Sequence, residues 1–192
     1  MPISPTGHLD RYEGPPDYFY WYYGTITVGY TGGTRGKDNP RANGVCFFKI
    51  PALNCSGAVP KCTLFYYQNS HTSAGEGESF LFNAWNASVE WPPIQYTDRA
   101  IAWWAISNST CTLAVDAVHE DDGWQEVALD SAACAAIGDS AAWWYQHDST
   151  GCAALKTGWA YHGSVSNTYT NIAGHDDVLG REPYIKVVYD KP

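Results

Sequence analysis

The stretch that decides the fold reads Val45-Cys46-Phe47-Phe48-Lys49-Ile50-Pro51. Residues two apart on a β-strand share one side of the pleat. Cys46, Phe48 and Ile50 are therefore predicted to point together into a core. Pro51 cannot donate a hydrogen bond to a sheet ladder, so the strand is predicted to end there.

Nine further short segments have the same β-rich character. The 18 Gly and 11 Pro residues are spread along the whole chain and mark no linker. We predict an all-β fold, an antiparallel, jelly-roll-like sandwich over 24–192, preceded by an aromatic N-terminal arm or first edge segment over 1–23. The ten strands are predicted at 24–30, 45–50, 62–68, 79–85, 101–106, 111–118, 124–129, 141–146, 158–163 and 184–189, with one short helix near 130–138 that Asp130 can cap.

Composition limits the classes of function. The chain is 45% hydrophobic and 16% charged, as folded globular proteins are. Its net charge of −9 disfavours nucleic acid and anionic membrane surfaces, because both are bound by basic faces. The longest apolar run, 100–106, is far shorter than the roughly 18 to 20 residues of a membrane span. We expect no nucleic-acid partner and no membrane insertion.

The six cysteines form an even set that contains no C-x-x-C pair, which argues against zinc-ribbon and thioredoxin motifs. Structural disulfides are the leading hypothesis, and buried free thiols are the alternative. Many pairings are possible, and only local spacing guides the choice. The predicted pairs are Cys55 with Cys62, Cys134 with Cys152, and Cys46 with Cys111.

Aromatic residues are the strongest unusual feature. The segment 18–23 consists of six consecutive aromatics, and one small sheet face cannot bury them all, because alternate side chains face opposite ways. Two Trp pairs lie in predicted strands, where one ring of each pair would point outward. Outward rings suit sugars or protein interfaces, and covering loops are the alternative. The predicted interface residues are Tyr18, Tyr20, Trp21, Tyr22, Trp103, Trp104, Trp143 and Trp144.

Motifs for catalysis or metal binding are missing from the sequence. It has no G-x-S-x-G elbow, no phosphate-binding loop and no paired-histidine spacing. Acidic clusters at 119–122 and 175–177 contain oxygen ligands for Ca²⁺ or carboxylates for glycoside hydrolysis, and a solvated acidic turn is the simpler interpretation. We expect no catalytic residues, no cofactor and no metal.

Six blocks of the sequence occur in the same order as the blocks of a known family's pattern. They are 26–33 (ITVGYTGG), 46–53 (CFFKIPAL), 58–67 (AVPKCTLFYY), 85–91 (WNASVEW), 123–130 (GWQEVALD) and 181–189 (REPYIKVVY). Together they resemble the DNRLRE, or disaggregatase-related, β-sandwich family, over about 6 to 189. The chain departs from the pattern in its six cysteines and in Phe48-Lys49, where the family has an acidic residue after Phe. The resemblance implies a non-catalytic, extracellular, jelly-roll-like module, often associated with polysaccharide.

The sequence leads to two hypotheses about function, which belong to different classes of protein. The first is a structural subunit that decorates or cements a larger outer assembly, such as a virion capsid or tail or a cell-surface layer. It is favoured by a chain that begins with Met, carries no leader and consists of one module. Its partners would be further copies of itself or shell subunits, at an extracellular or virion surface. The alternative is a polysaccharide-binding module of a secreted protein, and a hydrolase or lyase ranks third.

Overall fold

The computed structural model describes residues 2–14, 16–30, 41–49, 61–72, 79–89, 95–117, 121–139, 145–147, 153–163 and 167–188. Strands make up 58% of it, in a curled antiparallel sheet that forms a half-barrel, so the all-β prediction is confirmed. The strands are β1 Pro2–Tyr12, β2 Tyr18–Tyr23, β3 Ile26–Tyr30, β4 Arg41–Lys49, β5 Lys61–Thr72, β6 Ser79–Ala84, β7 Cys111–Ala117, β8 Gly123–Ala128, β9 Tyr145–His147, β10 Ala153–Tyr161, β11 Thr168–Ile172 and β12 Tyr184–Val188. Two helices, α1 Tyr96–Ser107 and α2 Ser131–Gly138, complete it.

Strand β4 organises the sheet. The strand order runs β12-β5-β11-β3-β4-β10-β6-β7. Outside this order, β8 pairs with β5 and β9 pairs with β10. Strand β1 pairs with β4 from Arg11↔Arg41 to Pro2↔Phe48, and β2 pairs with β1. Because β10 pairs with the same part of β4, β1 and β10 lie on opposite edges of it. Within the segment 1–23, residues 2–12 and 18–23 thus form two strands of the sheet.

Two cores lie on the two faces of β4. Cys46 and Phe48 belong to the larger core, which confirms that they share a face. Val45 and Phe47 point the other way, into a second core that α1 covers. Ile50 lies outside the described residues. Burial of both faces explains why residues 45–48 of the strand are continuously apolar.

The strand predicted at 101–106 is wrong, because these residues belong to α1. Its buried residues, Ala102, Trp103 and Ile106, are spaced as one face of a helix. A seven-residue apolar run does not distinguish a buried strand from a buried helix, and here its alanines favour the helix. No helix in the described part of the chain is long and apolar enough to cross a membrane.

The short helix predicted near 130–138 is confirmed as α2. The Asp130 carboxylate accepts a hydrogen bond of 2.7 Å from the Ala133 amide, which caps the helix as expected. Ala133, Cys134 and Ile137 attach the helix to the larger core.

Three strands, β1, β2 and β11, are not among the ten predicted, and the first two lie in the segment predicted as an aromatic arm or first edge segment. Two prolines and a glycine in β1 weaken its β character, and β11 is short and mostly polar. Of the strand predicted at 141–146, residues 141–144 lie outside the described residues, and β9 covers Tyr145–His147.

Candidate binding surface on strand β2

The aromatic segment 18–23 has Tyr18, Tyr20 and Tyr22 on one face of β2 and Phe19 and Trp21 on the other. Tyr18, Tyr20 and Tyr22 are 51%, 46% and 41% exposed. Phe19 is buried in the second core, and Trp21 packs against the same core. The period of two therefore separates Tyr18, Tyr20 and Tyr22 from Phe19 and Trp21. Tyr23 follows Trp21 on the second face but is 62% exposed.

Three tyrosines on β2 and one on β1 line a groove of about 390 Å³, together with Glu13, Gly14 and Pro16. The register places Tyr12 opposite Tyr18, and Tyr12 meets Tyr20 edge to face at 5.4 Å between ring centroids. We call this feature the tyrosine groove; its aromatic residues are Tyr12, Tyr18, Tyr20 and Tyr22. Its size is in the range of pockets that hold small organic groups.

Asp17 fixes the turn at the end of the groove. Its carboxylate accepts hydrogen bonds from the Gly14 amide at 3.1 Å and from Nε of Arg11 at 2.9 Å. Both bonds hold the pKa of Asp17 below its usual value. The Arg11 guanidinium lies on the opposite face of the hairpin, 5.2 Å and 4.7 Å from the ring centroids of Trp103 and Trp104. The hairpin is thus fixed to α1.

A buried carboxyl lies beside Tyr20, on the neighbouring strand. Asp10 pairs in register with Tyr20 and is only 7% exposed, and burial raises its pKa to about 7. Burial also lowers the pKa of His8, whose Nδ1 donates to the Thr25 carbonyl at 2.8 Å. His8 stacks on Tyr22 at 5.1 Å between centroids. Burial, a hydrogen bond to Tyr22 and the charge of Asp10 raise the pKa of Tyr12.

The structure separates the other predicted interface residues from the groove. Trp103 lies on the buried face of α1, and its Nε1 donates to the Arg41 carbonyl at 3.4 Å. Trp104 is exposed on the face opposite to the groove, beneath Arg11. Placing this pair in a strand was wrong, because both lie on α1. Trp143 and Trp144 lie outside the described residues.

The cysteine pairing Cys46–Cys111 is wrong. Cys46, Cys111 and Cys134 are free thiols, so the pair Cys134–Cys152 is not formed either. The register runs from Cys46 through Thr157 and Ala84 to Cys111, three strand spacings or about 14 Å along the sheet, whereas disulfides join Cα atoms within about 7 Å. Cys62 is buried in the larger core. Cys55 and Cys152 lie outside the described residues.

Sequence reasoning missed Tyr12, Asp10 and a second exposed aromatic cluster. The signal for Tyr12 was the Gly14-Pro15-Pro16 turn, which marks a hairpin that would bring Tyr12 beside Tyr18. The second cluster lies on β5, β8 and β12, where Tyr184 stacks on Phe65 at 4.8 Å and Trp124 packs against Tyr67 and Tyr184. Its residues come from distant parts of the chain, so no local pattern predicts it.

The acidic cluster at 175–177 is part of a turn. Asp177 accepts hydrogen bonds from Arg181 Nη2 at 2.6 Å and from the Leu179 amide at 2.9 Å, and the Arg181 bond chiefly lowers its pKa. No three His, Cys, Asp or Glu side chains within the described ranges are grouped to hold a metal ion. His119 and Glu120 of the other acidic cluster lie outside those ranges.

The fold and the groove define a class: an all-β protein with a curled sheet and a tyrosine-lined groove at one end of it. Comparisons with family models, with curated proteins and with solved structures found no match for this chain. The resemblance to the disaggregatase-related family therefore stays a hypothesis.

Proposed function

We propose that this chain is a non-catalytic structural subunit that joins a larger outer assembly, a virion capsid or tail or a cell-surface layer, through the tyrosine face of β2. The observation that carries the proposal is the row of half-exposed tyrosines, Tyr18, Tyr20 and Tyr22, on one strand. Tyrosine is enriched at the energetic centres of protein interfaces, because its ring combines a large apolar area with a polar tip.

The position of β2 in the sheet supports the same proposal. Within the described part of the chain, β2 pairs with β1 alone, so it forms an edge of the sheet. Its sequence, YFYWYY, contains neither Lys nor Pro, the residues that commonly protect exposed edges from pairing. An unprotected aromatic edge is suited to a surface that a partner covers.

Ion pairs fix the turn that borders the groove. Glu13 lies 3.6 Å from Nη1 of Arg11 and 3.4 Å from Nε of Arg41. These two ion pairs tie the carboxylate of Glu13 to β1 and β4 and hold the turn beside the groove in place.

The test is the mass of the native particle, measured by native mass spectrometry on protein from its natural source and on the Tyr20→Ala variant. We expect a defined oligomer, or recovery with a larger particle, that Tyr20→Ala weakens about tenfold or more. Tyr184→Ala is the matched control, because Tyr184 is 40% exposed in the second aromatic cluster. A monomer at all concentrations, or weakening by Tyr184→Ala alone, would contradict the proposal.

The groove itself favours a second candidate, a polysaccharide-binding module. Its walls offer flat tyrosine rings on which sugar rings stack. A glycan array probed with the full chain tests this candidate: retention of one polysaccharide class that Tyr20→Ala abolishes would favour it over the assembly subunit.

A further inference from the structure

We infer that the side chains of Lys156 and Asn86 join in an intramolecular amide bond, which is a covalent crosslink between β10 and the segment that follows β6. The inference does not depend on the proposed function, because it concerns a modification site inside the fold. It depends on where the Lys156 amine lies, on the groups that surround it and on the chemistry of the side chain beside it.

The side chain of Lys156 lies inside the protein, on the face of β10 that contributes to the second core. Lys156 is only 5% exposed and pairs in register with Phe47, which belongs to that core. Ala154 and Ala160 lie on the same face of β10 by the period of two in a strand, and both belong to the second core. The amine is therefore held in largely apolar surroundings.

The buried amine has no acidic partner. Among the described residues, no carboxylate forms an ion pair with Lys156; the contacts of its Nζ are two carbonyl oxygens and the Trp85 ring, whose centroid lies 5.4 Å away. Burial lowers the pKa of Lys156. A larger fraction of the side chain is then neutral amine, which is the form that attacks a carbonyl carbon.

The amide of Asn86 lies beside this amine. Nζ of Lys156 is 3.5 Å from Oδ1 of Asn86 and donates to the Ala87 carbonyl at 3.3 Å. The backbone holds both residues in place, because the Trp85 amide donates to the Lys156 carbonyl at 3.1 Å, directly after the register pair Ala84↔Thr157. Nucleophile and carbonyl group are thus held together by the fold, which avoids the entropy cost of bringing them into contact.

The reaction needs no further reagent. The lone pair of the neutral Nζ attacks Cγ of Asn86, and the new bond between Nζ and Cγ replaces the bond between Cγ and Nδ2. Nδ2 takes one proton from Nζ and leaves as ammonia. Asn86 is exposed, so the ammonia escapes to solvent. The product is a neutral amide, and forming it removes a charge that is costly to bury.

The experiment is mass spectrometry of the full, denatured chain, followed by a proteolytic digest of the same sample. We expect a mass lower than that of the sequence by one molecule of ammonia, and a branched peptide in which Lys156 and Asn86 are joined. A chain that keeps its full mass, both when freshly purified and after prolonged incubation at neutral pH, would overturn the inference.

Variants separate the crosslink from a succinimide between Asn86 and the Ala87 amide, which also releases ammonia. Lys156→Arg should keep its full mass, because the guanidinium stays protonated and does not attack the amide. Loss of ammonia that persists in Lys156→Arg would overturn the inference. Lys186→Arg is the matched control, since Lys186 is exposed on β12, and it should form the crosslink as the wild type does.

A second readout serves if Lys156→Arg does not fold, as checked by circular dichroism. The crosslink joins residues 70 apart, so it limits how far the unfolded chain extends. The wild type should therefore migrate faster than Asn86→Ala on a denaturing gel, and Asn86→Ala changes only an exposed side chain. Equal migration of the two chains, with no branched peptide in the wild type, would overturn the inference.

Discussion

At the scale of single residues, Gly7 determines whether β2 can lie against β1. A Cβ atom at this position would overlap the backbone oxygen of Tyr22 and lie 2.8 Å from Cη2 of Trp21. Gly7→Ala is therefore expected to lower the free energy of unfolding by about 2 to 3 kcal/mol, measured by urea denaturation. Gly138→Ala is the control, because no atom lies within 4 Å of its added Cβ. Equal stability of the two variants would contradict this account of β2.

Asp10 makes the stability of the fold depend on pH. Its pKa in the folded state, about 7, lies above that of an unfolded aspartate, so folding disfavours the charged form. Its contribution to stability is complete below about pH 4 and is lost as pH rises toward 7, by up to about 4 kcal/mol. Asp10→Asn should therefore be more stable than the wild type at about pH 8, with the advantage shrinking toward about pH 4, in urea denaturation at both pH values. An advantage that is the same at both would contradict the raised pKa.

At the scale of elements, α1 places two adjacent tryptophans in different environments, one buried and one exposed. Trp103 is 4% exposed and packs on Phe19, whereas Trp104 is 42% exposed beneath Arg11. Trp103→Ala is expected to lower the free energy of unfolding by about 3 to 5 kcal/mol and Trp104→Ala by about 1 kcal/mol. Thermal denaturation of both variants checks this. A larger loss for Trp104→Ala would contradict the placement of α1 on the second core.

The elements also show how far the sequence could predict the molecule. Alternation in 45–50 is local, so the shared face of Cys46 and Phe48 could be predicted directly. All six residues of 18–23 are aromatic, so the sequence predicts rings on both faces of β2 but not which face lies on the core; Trp21, predicted as an interface residue, packs against the second core. The run 100–106 has no period that separates helix from strand, and only its packing over the second core determines the outcome. The β1–β2 register brings Tyr12 to the groove and Asp10 beside Tyr20, and no local pattern specifies that register.

At the scale of the whole molecule, the sheet uses both faces of β4 and leaves the tyrosine face open. The larger core lies on one face of β4, and α1 covers the second core on the other. Strand β1 lies between β4 and β2, so within the described part of the chain β2 is at the edge of the sheet. Its tyrosines are half-exposed there. A face of this kind is where a partner would gain the most apolar contact.

The most direct measurement is hydroxyl-radical footprinting of the assembly and of the isolated subunit, read residue by residue by mass spectrometry. The account predicts that Tyr18, Tyr20 and Tyr22 are oxidised in the subunit and protected several-fold in the assembly, while Tyr184 reacts equally in both. Equal oxidation of the three β2 tyrosines in the two states, or protection confined to Tyr184 and Trp124, would contradict the central claim that the tyrosine face of β2 is the association surface.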